Sequence, residues 1–268
     1  MQGNTKIGLL GEGVASLRAK HGMRYNNYFE TFRGKLLYFL VDLLIPQHMI
    51  EERADISRAF AQILDNYNAE QVIELASGGS VLGLEYASKH PQTLYIESDL
   101  PQIAKWKREK LKEVRAKEGL NDYGNHFVES IDVLADDIYS VVGKYLTKGK
   151  RTLVVAEYLI TYLDSAQHEK LVENVSDFLG YIGGGSYLFN DSGAIMQRDI
   201  QAGFGGKLLS RVVQKKIATQ FHMHFKNPEN AKIYFREKGF KIFKTLPDIL
   251  DTREIKHLEN LPIYLVSK

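Results

Sequence analysis

Cysteine is absent from all 268 residues, which together excludes disulfides, thiolate nucleophiles and cysteine-ligated zinc or iron–sulfur centres. Tryptophan occurs once and proline only six times; no proline-rich linker, repeat or low-complexity tract divides the chain. Excess charge is missing as well. With 35 Lys and Arg against 33 Asp and Glu, the formal charge is +2, which gives no general attraction to nucleic acid or to a membrane surface. The apolar run LLYFLVDLLI over 36–45 is too short to span a bilayer, and the first residues lack the basic flank and apolar core of a secretory signal. These absences lead to the expectation of a cytoplasmic protein with neither a membrane nor a nucleic-acid partner.

What remains is ample core: 44% of residues are hydrophobic, enough for one large α/β unit. Residues 12–68 read as three helices, the third carrying Ile56, Ala59, Phe60, Ile63 and Leu64 at helical spacing. From residue 71 the pattern changes to short apolar runs alternating with amphipathic helices, with strands expected at 71–75, 93–97, 126–130, 151–157 and 185–190. That cadence predicts a parallel sheet with right-handed crossovers. PENAKIYFREKGF follows as a helix entered through Pro228 and ended at Gly239, and KIFKTL and PIYLVSK close the chain as an antiparallel pair. The expected fold is therefore α/β: a Rossmann-like, mostly parallel seven-stranded sheet with a C-terminal antiparallel hairpin, plus an N-terminal helical cap. The cap is expected over 1–68 and a cofactor-binding catalytic domain over 69–268, with a lid or acceptor insertion near 192–226 hinged by GFGGKLL.

In such a sheet, ligands lie beyond the carboxyl ends of the strands, near the point where strand order reverses. VIELASGGSVLGLEYA (72–87) places Ala76, Ser77, Gly78 and Gly79 there; an ordinary tight turn is the plainer reading. The GxGxxG spacing of dinucleotide binders is not met, because Gly83 is the next glycine. Glu97 and Asp99 end the second strand, where a carboxylate can accept from ribose hydroxyls, although Asp99 is also placed to cap the helix that begins with Pro101. Asp132, between Ile131 and Val133, is placed to bond an adenine amino group while its neighbours cover the ring. Glu157 ends a buried strand and needs a partner or solvent.

VIELASG, YIESDLPQIAKWKREKL and TLVVAEYLITYL, in that order, resemble the successive motifs of the leucine carboxyl methyltransferase family, which includes polyketide-tailoring O-methyltransferases. GEGVASLRAKH is similar to that family's N-terminal T-A-x-x-x-A-x-x-R-A segment. The resemblance covers much of 12–165 and implies the methyltransferase fold, S-adenosylmethionine as methyl donor and O-methylation of a small-molecule carboxylate or hydroxyl. It implies that Arg53 grips the donor's carboxylate, Gly78 lies against its methionine moiety, Glu97 or Asp99 binds the ribose, Asp132 the adenine and Glu157 the amino or sulfonium end. Glu74, Ala76, Ile131 and Val133 are further candidate cofactor contacts. The chain departs from the family at L-A-S-G, where L-G-A-G or A-A-G is usual, and at Tyr158, which replaces the glycine of E-G-x-x-x-Y-L.

Methyl transfer is an in-line displacement, so positioning in a dry pocket matters most. A carboxylate acceptor needs cations but no base, whereas a phenol gains from one. Candidate bases are His21, His48, His222 and His224, and the acceptor pocket is expected to involve Tyr25, Tyr28, Tyr158, Tyr162 and His222. No metal is expected. The lone Trp106 reads as sheet packing, and most of Tyr25, Tyr28, Phe29 and Phe32, an aromatic cluster in the cap, as core packing. Competing readings are a protein C-terminal carboxyl methyltransferase, an RNA methyltransferase, a nicotinamide oxidoreductase and a non-catalytic cofactor-binding protein.

Overall fold

The computed structural model describes residues 4–193, 195, 221–250 and 261–268. Most of the expected insertion near 192–226, including GFGGKLL, lies outside the described residues. Strands β1 (Gln71–Glu74), β2 (Leu94–Asp99), β3 (His126–Ser130), β4 (Thr152–Ala156), β5 (Ser186–Asn190), β6 (Ile242–Thr245) and β7 (Ile263–Ser267) form one sheet in the order β3-β2-β1-β4-β5-β7-β6. The first five strands pair in parallel, and β7 runs antiparallel between β5 and β6. Chain order reverses on either side of β1, which opens a crevice over the carboxyl ends of β1, β2 and β4.

The two sheet faces are separated by the period-2 alternation of the strands. Ile73, Ile96, Val154 and Phe189 pack against α6 (Ile138–Val142), α7 (Ser165–Ile182) and α8 (Pro228–Glu237). Val72, Tyr95, Val155 and Leu188 pack against α3 (Gln47–Tyr67) and α4 (Leu82–Lys89). The helical stripe Ile56, Ala59, Phe60, Ile63 and Leu64 is wholly buried in this second layer. Thus α3 belongs to the sheet's own packing, and α1 (Asn4–Lys20) and α2 (Phe32–Leu44) lie farther out.

Local signals account for the helix ends. Asp164 and Gln167 form a reciprocal capping box at the start of α7, and Asn227 caps α8 ahead of Pro228. α5 (Pro101–Glu118) begins with proline and ends at Gly119 in the left-handed region. The residue preceding it is Leu100, with no side-chain cap, so Asp99 does not cap α5 and is left for another task. The short helix α9 (Leu246–Ile249) follows β6. No described helix is long and apolar enough to cross a membrane.

Candidate functional site

A cleft of about 580 Å³ lies over the crevice and is lined by six stretches of chain. The turn after β1 contributes Ala76, Ser77, Gly78 and Gly79, the end of β2 contributes Asp99, and the loop after β3 contributes Ile131, Asp132, Val133 and Leu134. The segment after β4 supplies Glu157, Tyr158, Leu159, Tyr162 and Leu163. The outer wall comes from Glu12, Val14 and Arg18 of α1, Ile103 and Trp106 of α5, and His222.

Asp99 organises the floor. Its Oδ2 accepts the Gly78 N–H at 2.7 Å and its Oδ1 the Leu100 N–H at 2.8 Å, which ties the turn after β1 to the end of β2. Burial raises its pKa, and the two N–H groups partly offset that. Gly78 itself sits at φ 49°, a conformation glycine tolerates best. Asp132 accepts the Leu134 N–H at 3.0 Å through Oδ1, which fixes the loop carrying Ile131 and Val133 at the cleft wall.

At the other end of the cleft, Arg18 Nη2 meets Glu157 Oε2 at 2.5 Å, with side-chain exposures of only 8% and 4%. Ser57 completes a triangle: Arg18 Nε donates to its Oγ at 3.1 Å, and its hydroxyl donates to Glu157 Oε1. Burial disfavours the Arg18 charge, but Glu157 outweighs it and holds the pKa above the ordinary arginine value. Arg18, unlike the expected Arg53, is thus an arginine of the cleft lining. Arg53 does not line the cleft; its backbone carbonyl accepts the Tyr158 hydroxyl at 3.0 Å. The sequence did hold the signal, because Arg18 is the arginine of the GEGVASLRAKH segment.

Glu74 and Glu97 also stand outside the cleft lining. Glu97 points to the same side of β2 as Asp99 but two residues deeper, beneath α4 and α5, where it is fully buried. It contacts the equally buried Lys107 Nζ and lies 3.1 Å from His126 Nε2. Burial opposes its ionisation, yet these two neighbours outweigh burial and keep its pKa below the usual carboxylate value. The helix α4 approaches so closely at Gly83 that a Cβ there would collide with the Glu97 carboxylate. Glu74 accepts the Tyr95 hydroxyl at 2.9 Å, and burial lifts its pKa to about 7 against the pull of Lys107. Lys107 Nζ also reaches the Ser77 carbonyl at 3.4 Å, so this buried network supports the turn from below.

Of the expected acceptor residues, Tyr158, Tyr162 and His222 line the cleft, whereas Tyr25 is buried away from it and Tyr28 donates to Glu118 at 2.5 Å on the surface. Trp106, expected to pack on the sheet, stands in the cleft wall with its edge against Phe29, ring centroids 5.6 Å apart. His224 turns from the cleft to the Ile160 carbonyl at 2.8 Å, and neither His21 nor His48 lines it. Among the described residues, no group of three His, Asp or Glu is arranged to hold a metal ion.

The two departures from the family motifs share one property: both fall on left-handed backbone, Ala76 at φ 53° and Tyr158 at φ 62°. A residue with a Cβ is strained there by about 1–2 kcal/mol, which explains why glycine is found at such positions. Tyr158 is retained by burial, by its N–H to Asn190 Oδ1 at 2.7 Å and by its hydroxyl to Arg53. Tyr158→Gly is therefore expected to relax the backbone yet lower stability by about 2 kcal/mol, because losing a buried aromatic costs about 3–5 kcal/mol. Urea denaturation measures this; a gain in stability would show that the side-chain contacts do not offset the strain.

The sequence model of the family "Leucine carboxyl methyltransferase" matches residues 46–176. No curated protein matches the chain. Among solved structures, a putative methyltransferase from Thermobifida fusca YX is 13% identical, with 89% of each chain covered and a TM-score of 0.53. A putative O-methyltransferase from Nostoc punctiforme PCC 73102 is also 13% identical, with 82% of this chain and 59% of that one covered and a TM-score of 0.50. The chain spans 59% of the Nostoc protein's length and 55% of that of human N-acetylserotonin methyltransferase. At these identities the likeness is one of fold. Over residues 46–176, just under half of the chain, the sequence is similar to the leucine carboxyl methyltransferase family, and the sheet has the methyltransferase strand order.

Proposed function

We propose that this chain binds S-adenosylmethionine in the cleft and uses it to methylate a hydroxyl oxygen of a small molecule. The observation that carries the reading is the division of the cleft: a glycine turn pinned by Asp99 at one end and the Arg18–Glu157 pair at the other. These groups fit the donor. Asp99 and the backbone of Gly78 face a ribose, Ile131, Asp132 and Val133 an adenine, and Arg18 with Glu157 the carboxylate and amino groups of a methionine moiety. When bound, the donor supplies an electrophilic methyl group on a sulfonium. The chain contributes alignment and exclusion of water, through Trp106, Leu159, Tyr158 and Tyr162. His222, on the wall beside the tyrosines, is positioned to take the proton of an acceptor hydroxyl.

A hydroxyl is favoured over a carboxylate by the charges on the wall. Glu12, Asp99, Asp132, Glu157 and Asp164 line the cleft, and among the described lining residues Arg18 is the one permanently charged cation, already engaged by Glu157. An anionic acceptor, whether a small acid or a protein C-terminus, would meet repulsion there. Calorimetric titration with S-adenosylhomocysteine, with NADH as the control, tests the donor site. Asp99→Ala is expected to weaken S-adenosylhomocysteine binding by about 10–100-fold, as loss of a charge-assisted contact of about 1.5–3 kcal/mol implies. Absence of binding to the unaltered protein would refute the donor assignment. Turnover of carboxylic acids in preference to phenols would refute the acceptor class alone.

A further inference from the structure

Helix α2 has two unlike faces. Its inner face packs on the neighbouring helices: Gly34 lies against the Glu12 backbone, Leu37 crowds Gly13, and Val41 joins Leu17, Ile50 and Ala54. On the opposite face Phe32, Leu36, Phe39 and Leu43 are 84%, 49%, 60% and 68% exposed. Steps of four, three and four residues align these side chains in one row along the helix. The row presents roughly 500 Å² of apolar surface, at the upper end of what a soluble monomer leaves uncovered.

We infer that this row is the contact surface of a homodimer in which α2 crosses α2 of a second copy in antiparallel fashion, about a two-fold axis near residues 37 and 38. The argument rests on self-complementarity. In that crossing Phe32 meets the second copy's Leu43, and Leu36 meets its Phe39, so every apolar side chain of the row is covered by another. Lys35 and Asp42 flank the row on the same side, and the two-fold brings each Lys35 to within about one helical turn of the other copy's Asp42. Both are exposed, with Lys35 already drawn toward Glu30 at 3.3 Å and Asp42 accepting from Gln47 at 2.8 Å. A parallel crossing would instead set Lys35 beside the other copy's Arg33 and Asp42 beside its Leu40, which pairs neither charge with its opposite. A lipid surface fits less well, because helices that lie on membranes carry Lys and Arg along the polar boundary, whereas here Asp42 stands beside Leu43. Two copies of the row would cover about 1,000 Å², near the lower bound of a specific interface.

The face is coupled to the cleft. Thr31, the cap of α2, donates to the Glu12 carboxylate at 2.5 Å, and Gly34 seats the Glu12 backbone, so the α1 residues that line the cleft lean on α2. Covering the outer face of α2 would brace that wall. The dimer does not depend on the proposed chemistry, and its test needs no donor.

Light scattering on the full chain at micromolar concentration should give twice the chain mass. Phe39→Glu is expected to yield the monomer, with helical circular dichroism unchanged. Lys35→Asp should raise the dimer dissociation constant about tenfold, as two lost ion pairs of about 0.5–1 kcal/mol each imply, and adding Asp42→Lys should restore it. The exposed charge swap keeps the test decisive even if Phe39→Glu misfolds. A monomeric wild-type protein, a dimer unaffected by both substitutions, or a monomer that binds phosphatidylserine vesicles through α2 would overturn the inference.

Discussion

Lys107→Ala is expected to lower the free energy of unfolding by about 3–5 kcal/mol, the penalty for stripping a buried carboxylate of its partner. Lys107 and Glu97 are both fully buried, and Glu74 nearby, whose pKa burial already lifts to about 7, would lose the pull of the same ammonium. His126 alone would then oppose the Glu97 charge. The loss reaches the cleft, because Lys107 also donates to the Ser77 carbonyl in the turn that Asp99 pins. Lys107→Met keeps most of the volume and removes the charge, so it should remain strongly destabilised. Pairing it with Glu97→Gln should recover part of the stability, since replacing both members of a buried ion pair is far less costly than removing one. Urea denaturation of the two single variants and the double variant measures the coupling. A loss below about 1 kcal/mol for Lys107→Ala would show that burial, not pairing, governs Glu97.

The sheet was legible because its signals are local. Except for the half-buried edge strand β3, each parallel strand is a short, largely apolar run buried on both faces, bounded by caps such as Asp164 and by glycines, and the chain order of such runs allows few topologies. The turn after β1 and the Asp132 loop were legible for the same reason: ligand positions in this architecture follow strand ends. Depth was not legible. Glu97 and Asp99 differ by two residues and share a side, and only the placement of α4 and α5 over the sheet buries the first while leaving the second at the cleft. Sequence spacing cannot state which arginine of an N-terminal helix crosses to a strand end 139 residues away, so the Arg18–Glu157 contact was not foreseen. Trp106 illustrates a further limit: a helix packed on a sheet can turn one residue of its edge into the cleft, and periodicity does not mark that edge.

Arg18→Ala is expected to weaken S-adenosylhomocysteine binding about 100-fold, whereas Arg53→Ala should change it by less than about threefold. The contrast follows from position: Arg18 lines the cleft and bonds Glu157, while Arg53 lies outside the lining. Two effects must be separated, since removing Arg18 also leaves Glu157 buried with Ser57 as its remaining side-chain partner. Stability should fall by about 3 kcal/mol for that reason alone. Arg18→Met combined with Glu157→Gln removes both charges together, so it should regain stability close to the unaltered protein. Ligand affinity should not return, because the guanidinium proposed to meet the donor's carboxylate is still missing and the glutamine cannot replace Glu157 toward its amino group. Thermal unfolding and calorimetry on the same samples give both readouts. Recovery of stability and affinity together would make the pair a structural strut of the α1 wall, and equal losses in Arg18→Ala and Arg53→Ala would return the donor's carboxylate to the α3 arginine.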